Sequence, residues 1–501
     1  MKQLFTLSLV FLLATEARLS AQSNIQTVDS LFKALYNNYE VAGNLLVAEK
    51  GRVILKDYGG SADVQQKKPL TDQTTFQLAS LSKTFTAIAI LQLKEKGKLR
   101  LEDPVQKYLP TFKYPNISLR HLLNHTSGLV DFQMFEAAYE ADTTRVFKNE
   151  DILTVINQGQ GELRFQPGEK WSYSNPGYCL LALVVEKMSG LTFQEYLRKN
   201  IFQPAGMTHT YIAIGSKSDN DTNRAIGYDF PAYAPWIKQR NDLLQQNRIE
   251  LHNLGDFVGH SNIISTTGDL LLYDRALYNN KLLKAATLEE ALTPAKLNNG
   301  ELAATGWDNA VCYYGLGWMI LKDTTYGKVV FHPGGMTGAV TILLRNVTKD
   351  QTLILLNNET HRENASNAVS LLRALNGLTP RLNKKSLAKL YVRTLILSNP
   401  DSALVAFNSK KSDTASYYLD EREMNVMGLQ MFYNEFQQQG LKVLALNTIL
   451  FPNSANVYDS YAGALKHLGK RQEAMAMFGK SLTLNPKNTN AQKQLSELGG
   501  K

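Results

Sequence analysis

Cysteine is almost absent: the 501 residues carry two, Cys179 and Cys312, both in apolar surroundings and without the spacing of a zinc or redox site. A disulfide framework and a cysteine-built metal centre are thereby excluded. Two buried thiols are expected, and a single bond between them stays open. Runs of positive charge are missing as well. The formal charge is +9, yet no stretch of Lys and Arg is longer than two residues, so the excess reads as a solvated basic surface and argues against nucleic acid as a partner. Beyond the first residues no segment is long and uncharged enough for a membrane helix. Low complexity is lacking too. With 44% hydrophobic and 20% charged residues over 501 positions, the chain has the composition of folded domains and exceeds one typical core.

What is present begins with Lys2, an apolar run from Leu4 to Ala14 and a small-residue site at Ser20-Ala21. Residues 1–21 read as a signal peptide whose apolar run is too short to span a bilayer. An exported protein, periplasmic or secreted, is the expectation. Spacing then predicts a helix over Val28 to Tyr39 and two strands, Asn44 to Ala48 and Val53 to Tyr58, turned at Lys50-Gly51. A helix followed by an antiparallel hairpin is a common opening of an α+β sheet.

The chain is organised around Thr75-Phe-Gln-Leu-Ala-Ser80-Leu-Ser-Lys83-Thr-Phe-Thr-Ala87. From Phe85 to Leu93 only Thr86 and Gln92 interrupt an apolar run, and Gly97 supplies a left-handed end, which predicts a buried helix. Residues i and i+3 share a helix face, so Lys83 lies beside Ser80. A serine hydroxyl needs a proton acceptor to act as a nucleophile, and a desolvated lysine is one. The spacing alone is weak, because Ser386-Leu-Ala-Lys389 repeats it in a lysine-rich stretch without other chemistry.

Context adds more. Tyr173-Ser-Asn175 precedes an apolar helix from Leu180 to Met188, and tyrosine and asparagine two apart on an extended segment point the same way. His121 and His125 are four apart, but the glutamate of a zinc motif is missing, so they read as structural, hydrogen-bonded histidines. Gly215 to Ser261 is long and polar with scattered aromatics, as lids and cleft walls are. Thr266-Thr-Gly-Asp269 opens a helix as a capping box. Strands follow at Trp318 to Leu321, Val329 to Phe331, Val340 to Leu344 and Leu353 to Leu356, with His332-Pro-Gly-Gly335 between the second and third. A helix from Ala365 to Leu375 closes the unit. Toward the C-terminus Tyr458, Ala462, Ala474, Phe478 and Pro486 stand at the spacings of a tetratricopeptide helix pair, and Pro452 precedes Pro486 by the 34-residue repeat.

Ser80-Leu-Ser-Lys83, Tyr173-Ser-Asn175 and His332-Pro-Gly334 resemble, in order and spacing, the three motifs of serine β-lactamase-like hydrolases. The branch is that of class C β-lactamases, D-alanyl-D-alanine carboxypeptidases, D-aminopeptidases and related esterases. Leu101-Glu-Asp-Pro, His121-Leu-Leu-Asn-His-Thr-Ser-Gly-Leu129 and Tyr314-Gly-Leu-Gly-Trp318 resemble further segments of it. The resemblance implies an antiparallel sheet flanked by helices, with an inserted, mainly helical subdomain, over residues 25–379. A helical connector over 380–420 and a tetratricopeptide-like tail over 421–501 would follow. It further implies Ser80 as the acylated nucleophile and Lys83 with Tyr173 as the proton-transfer pair. Asn175 would orient the substrate, His332 would complete the catalytic set, and the backbone N–H groups of Ser80 and Gly335 would form the oxyanion hole. Gly334 and Gly335 would line the substrate, and no metal or cofactor is implied. The third motif departs from the lactamase pattern, since His332 replaces a lysine and Pro333 a hydroxyl-bearing residue. An ester, a small amide or a D-amino-acid peptide is therefore expected as substrate rather than a β-lactam, unless Arg240 or Arg248 supplies the missing donors. The tail is expected to dock on the hydrolase domain or to bind a protein partner. The alternative to an enzyme is a non-catalytic envelope-binding or scaffold protein, in which the tail does the work and the hydrolase fold is a relic.

Overall fold

Leu45 and Val47 point to one side of their strand and Leu46 and Ala48 to the other, and all four are buried. The sheet that contains them must be covered on both faces. The computed structural model, which describes residues 22–159, 162–214, 220–307, 310–322, 325–361 and 363–499, shows the two layers. The expected leader over 1–21 lies outside the described residues.

Among the described residues eight antiparallel strands form the sheet: β1 (Gly43–Glu49), β2 (Arg52–Gly59), β3 (Ala304–Trp307), β4 (Ala310–Tyr314), β5 (Met319–Leu321), β6 (Val329–Met336), β7 (Ala339–Asn346) and β8 (Gln351–Asn357). Their order is β3-β4-β5-β6-β7-β8-β1-β2. Lys50 and Gly51 both take positive φ, 50° and 69°, the conformation a tight hairpin between β1 and β2 requires. Helix α1 (22–37) and α5 (Asn364–Leu375) cover the face to which Leu45, Val47, Ile342 and Leu355 point. The other face, with Leu46, Val330, Leu343 and Ile354, packs against α2 (Lys83–Glu95), α3 (Asn175–Ser189) and α4 (Thr267–Tyr278). The architecture is thus α+β, an antiparallel sheet between helical layers.

Two sequence boundaries move. His332-Pro-Gly-Gly335 lies within β6 rather than between strands, because the segment keeps its register with β7, from His332 opposite Leu343 to Gly335 opposite Val340. The helix expected to begin near Ser80 starts at Lys83, and Ala79–Ser82 form a separate 3-10 turn.

Contacts divide the chain into two compact units, one containing the sheet and ending at Leu382, the other made of Asn383–Lys501 together with Phe230–Ile237. The second unit is a stack of helices: α6 (Leu387–Leu397), α7 (Pro400–Lys410), α8 (Glu421–Tyr433), α9 (Gln437–Leu450), α10 (Ala455–His467), α11 (Arg471–Leu484) and α12 (Thr489–Gly499). The stretch expected as a connector over 380–420 therefore holds two helices whose Leu387, Tyr391, Leu395 and Phe407 belong to the same core as Met424 and Met431 of α8. Ser386, of the second S-x-x-K, caps α6 by accepting the Lys389 N–H at 3.0 Å, while Lys389 lies 3.7 Å from Glu423. It is a helix cap.

Part of the long loop also belongs here. Its stem, Tyr228–Asp229 paired with Gln239–Arg240, is a short hairpin of the first unit. Its tip buries Tyr233 and Ala234 among Tyr391, Met427 and Met431 of the second. Tyr233→Ala is expected to lower the stability of the helical unit by about 3 kcal/mol, the usual cost of truncating a buried aromatic. Faster amide hydrogen exchange in α6, α8 and α9 would register the loss, and unchanged protection there would show that the tip adds nothing to that core.

Candidate active site

Ala79 precedes Ser80 with φ at 48°, a left-handed conformation that is uncommon for a residue with a Cβ and typical of strained functional turns. The 3-10 turn that follows stacks residues i and i+3, which sets the Lys83 amine over the Ser80 hydroxyl. Lys83 is fully buried. Its Nζ lies 3.0 Å from Ser80 Oγ, 2.7 Å from Asn175 Oδ1 and 2.9 Å from the His260 carbonyl oxygen. Burial pulls its pKa down to about 7, against the opposing attraction of Asp131 and Cys179. Two of the three neighbours, an amide oxygen and a peptide oxygen, can only accept. A neutral Lys83 therefore turns its two N–H bonds toward them and its lone pair toward Ser80.

Tyr173 sits across from this pair. Its phenol interacts with the Ser80 side chain, and burial holds its pKa well above the ordinary phenol value. The Lys83 Nζ lies 4.8 Å from its ring centre. Segment 125–131 fixes it in place. His125, at φ 59°, accepts the Ser172 N–H on its carbonyl at 2.9 Å and the Ser174 N–H on Nδ1 at 3.2 Å, and its ring lies 4.2 Å from that of Tyr173. At the other end of the segment, Asp131 accepts from Asn175 Nδ2 at 3.2 and 3.1 Å. Burial keeps His125 neutral, its pKa well below the ordinary value. The pair His121 and His125 is bound up in backbone hydrogen bonds, since His121 Nδ1 accepts the Ser118 N–H at 3.2 Å.

Strand β6 passes close to the Ser80 turn. A Cβ at Gly334 would stand 2.0 Å from the Leu78 carbonyl oxygen, so only glycine allows the approach, whereas a Cβ at Gly335 would meet nothing within 4 Å. Gly335 is exposed on the open side. His332 is placed differently from the sequence expectation. It is buried, and its Nδ1 lies 2.7 Å from the Pro333 carbonyl, which can only accept, so Nε2 accepts a hydrogen bond from the Tyr314 hydroxyl at 2.9 Å. Burial lowers its pKa to about 3. With both nitrogens engaged and the ring neutral, His332 holds the wall of the site and offers no donor to a substrate.

Of the residues singled out in the sequence, the structure brings Ser80, Lys83, Tyr173 and Asn175 together, with Gly334 against the serine turn. Sequence reasoning missed Asp131 and His260. The available signal for Asp131 was a lone carboxylate between Val130 and Phe132; the contribution of His260 is a backbone carbonyl, which no side-chain pattern marks. A cleft of about 630 Å3, lined by Gln77, Arg224, Arg240, Asn262, Met336 and Thr337 among others, opens in the same unit. Arg240 is committed there to Asp242, with Nε and Nη2 at 3.1 and 2.8 Å from its two oxygens.

Known proteins match this unit. The family described as Beta-lactamase matches residues 28–376, which end before the helical unit. Penicillin-binding protein 4* of Bacillus subtilis is 35% identical over 340 residues, 68% of this chain and 72% of that protein. Among solved structures, a penicillin binding protein from Bacillus halodurans has a TM-score of 0.57 at 26% identity, covering 69% of this chain and 98% of its own. The D-amino acid amidase of Ochrobactrum anthropi has the same fold, with a TM-score of 0.57 at 21% identity over 72% of this chain and 99% of its own.

The depressed Lys83 pKa has a measurable consequence. It falls from 10.5 unfolded to about 7 folded, so the unfolded chain binds more protons between these values and stability rises with pH across that window. The cost of burial is complete below about pH 7 and gone above 10.5. Lys83→Met removes the titration, so wild type should gain on the variant by several kcal/mol between pH 6 and pH 10, each tenfold change in proton affinity being worth ~1.4 kcal/mol. Chemical denaturation at four pH values reads this; parallel curves would mean an ordinary lysine.

Proposed function

Because the chain belongs to the β-lactamase family of serine hydrolases, we propose that it is an exported enzyme that opens an ester or a small amide, D-amino-acid peptides included, through an acyl-enzyme on Ser80. The observation that carries this reading is the 3.0 Å approach of Lys83 Nζ to Ser80 Oγ, the other two contacts of the amine both being to oxygens that can only accept. Ser80 Oγ attacks the substrate carbonyl carbon while its proton passes to Lys83 Nζ. The oxyanion is met by the backbone N–H groups of Ser80 and Gly335, an arrangement worth several kcal/mol when the donors are fixed in advance. Collapse breaks the bond to the alcohol or amine, which leaves with the Tyr173 proton, and Lys83 returns a proton to Tyr173. Water then attacks the acyl carbon by the same route in reverse. The opposite displacement of the two pKa values, Lys83 downward and Tyr173 upward, supports this division into base and acid near neutral pH.

Substrate choice follows from how the polar groups around the third motif are engaged. A carboxylate leaving water must find donors. His332 is neutral and engaged, the Thr341 hydroxyl donates to the Leu78 carbonyl at 2.7 Å, and Arg240 is paired with Asp242. Neutral substrates are therefore preferred over those with a free carboxylate beside the scissile bond, and β-lactams are poor substrates.

Three outcomes test the proposal. Ser80→Ala is expected to abolish labelling by a fluorophosphonate and all turnover while leaving the melting temperature nearly unchanged; wild-type turnover in this variant would end the proposal. The kcat/KM should rise with pH through about 7 as Lys83 loses its proton. A D-alanyl-D-alanine peptide and its C-terminal amide should be hydrolysed with comparable kcat/KM, and a hundredfold preference for the free acid would overturn the substrate assignment.

A further inference from the structure

Asn175 is the pivot between Lys83 and Asp131, and an amide has two chemically opposite ends. Its Oδ1 faces Lys83 Nζ at 2.7 Å, while its Nδ2 lies 3.2 and 3.1 Å from the two Asp131 oxygens. The backbone N–H of Asn175 also points to Asp131 Oδ1, at 3.3 Å, and that oxygen takes the Phe132 N–H at 2.9 Å. A carboxylate only accepts. Reversing the amide would set an oxygen against two oxygens and an N–H against the Lys83 amine, so Asp131 admits one orientation.

Resting on the acyl-enzyme reading above, we infer that Asp131 is a positioning residue that locks the Asn175 amide, so that the Lys83 lone pair has no direction left except toward Ser80. The bonding count is closed: neutral Lys83 has two N–H bonds, and Asn175 Oδ1 and the His260 carbonyl consume both. With the amide reversed, Lys83 would spend its lone pair on Asn175 Nδ2, and Ser80 would lose its base. Asp131 acts on charge as well as on orientation, since its carboxylate favours the Lys83 ammonium against burial, whereas burial pushes the Cys179 thiol up and keeps it protonated. The other titratable groups that face Lys83 are neutral: Tyr173 and Tyr178 carry their protons, and His125, His260 and His332 are held uncharged by burial.

Two substitutions separate the functions. Asp131→Leu removes both the acceptor and the charge; the expected loss in kcat is about 100-fold with little change in KM, the scale of a misdirected reacting group. Asp131→Asn retains an acceptor for Nδ2 but not the charge; it is expected to lose at least fivefold less kcat than Asp131→Leu. In both variants the acid limb of the kcat/KM profile moves to lower pH. Fluorophosphonate labelling rates should fall in the same order. Equal losses in the two variants with an unmoved acid limb would mark Asp131 as a structural cap of the 132–135 turn and overturn the inference, as would wild-type kcat in Asp131→Leu. Ser80→Ala run beside them keeps the two claims apart. If it still labels, the acyl-enzyme reading fails; if it is inert while the Asp131 variants behave as wild type, only the lock fails.

Discussion

A buried amine without a contacting carboxylate is the constraint around which the first unit is built. Taking Lys83 from pKa 10.5 to about 7 corresponds to a cost on the order of 5 kcal/mol at neutral pH, comparable with the whole stability of many domains. No hydrophobic gain at that position explains it, since a methionine would pack without the penalty. The structure meets the cost with neutral oxygens from three separate places: the serine turn, the first residue of α3 and the loop at His260. Removing the Asn175 or the His260 oxygen leaves a polar N–H in a dry interior, so those two segments are held to the helix through the amine.

Three residues with side chains take left-handed backbone in these segments, Ala79, His125 and Asn262, and each lies within a few residues of a group that touches Lys83 or Tyr173. Strain of this kind persists only where its surroundings leave no alternative. Asn262 illustrates the compensation, for its Nδ2 donates to the Gly255 and Phe257 carbonyls at 2.6 and 2.9 Å, tying down the loop that presents His260. His125 is fixed in turn by the N–H groups on either side of Tyr173, its carbonyl by that of Ser172 and its ring by that of Ser174. Accuracy at the site is thus distributed over hydrogen bonds between loops rather than stored in one rigid element.

The legible part of the sequence was the part carried by side-chain periodicity and by paired polar residues. Alternation gave the central strands to within two or three residues at most ends, and the i, i+3 spacing gave Ser80 and Lys83. The same spacing at Ser386 and Lys389 shows why the motif alone misleads: there the lysine reaches a glutamate at 3.7 Å near the surface, and the serine caps a helix. What distinguishes the two is burial of the amine, a property of the whole layer behind it. His332 was misread for a related reason, because a histidine in a motif position reveals nothing of the hydrogen bonds that consume its nitrogens. The tip of the long loop, Phe230–Ile237, was legible as aromatic but not as belonging to a core more than a hundred residues downstream, since no local pattern records a partner that distant.

The environment also explains why lysine and tyrosine, rather than histidine, flank the serine. Five aromatic or imidazole rings crowd the space: His125, Tyr173, Tyr178, Tyr314 and His332. Desolvation in such a space displaces every titratable group toward its neutral form. For an imidazole that means a pKa far below neutrality, as at His332, and a base too weak to take a serine proton. For a lysine the same displacement ends near 7, where the amine is uncharged in a useful fraction of molecules and still basic. For a tyrosine it ends far above neutrality, where the phenol keeps a proton to give. One dry cavity therefore converts the strongest base available into a general base and leaves the phenol as an acid. Asp131 adds a counterweight that keeps the lysine from falling further, and its hold on Asn175 directs what basicity remains.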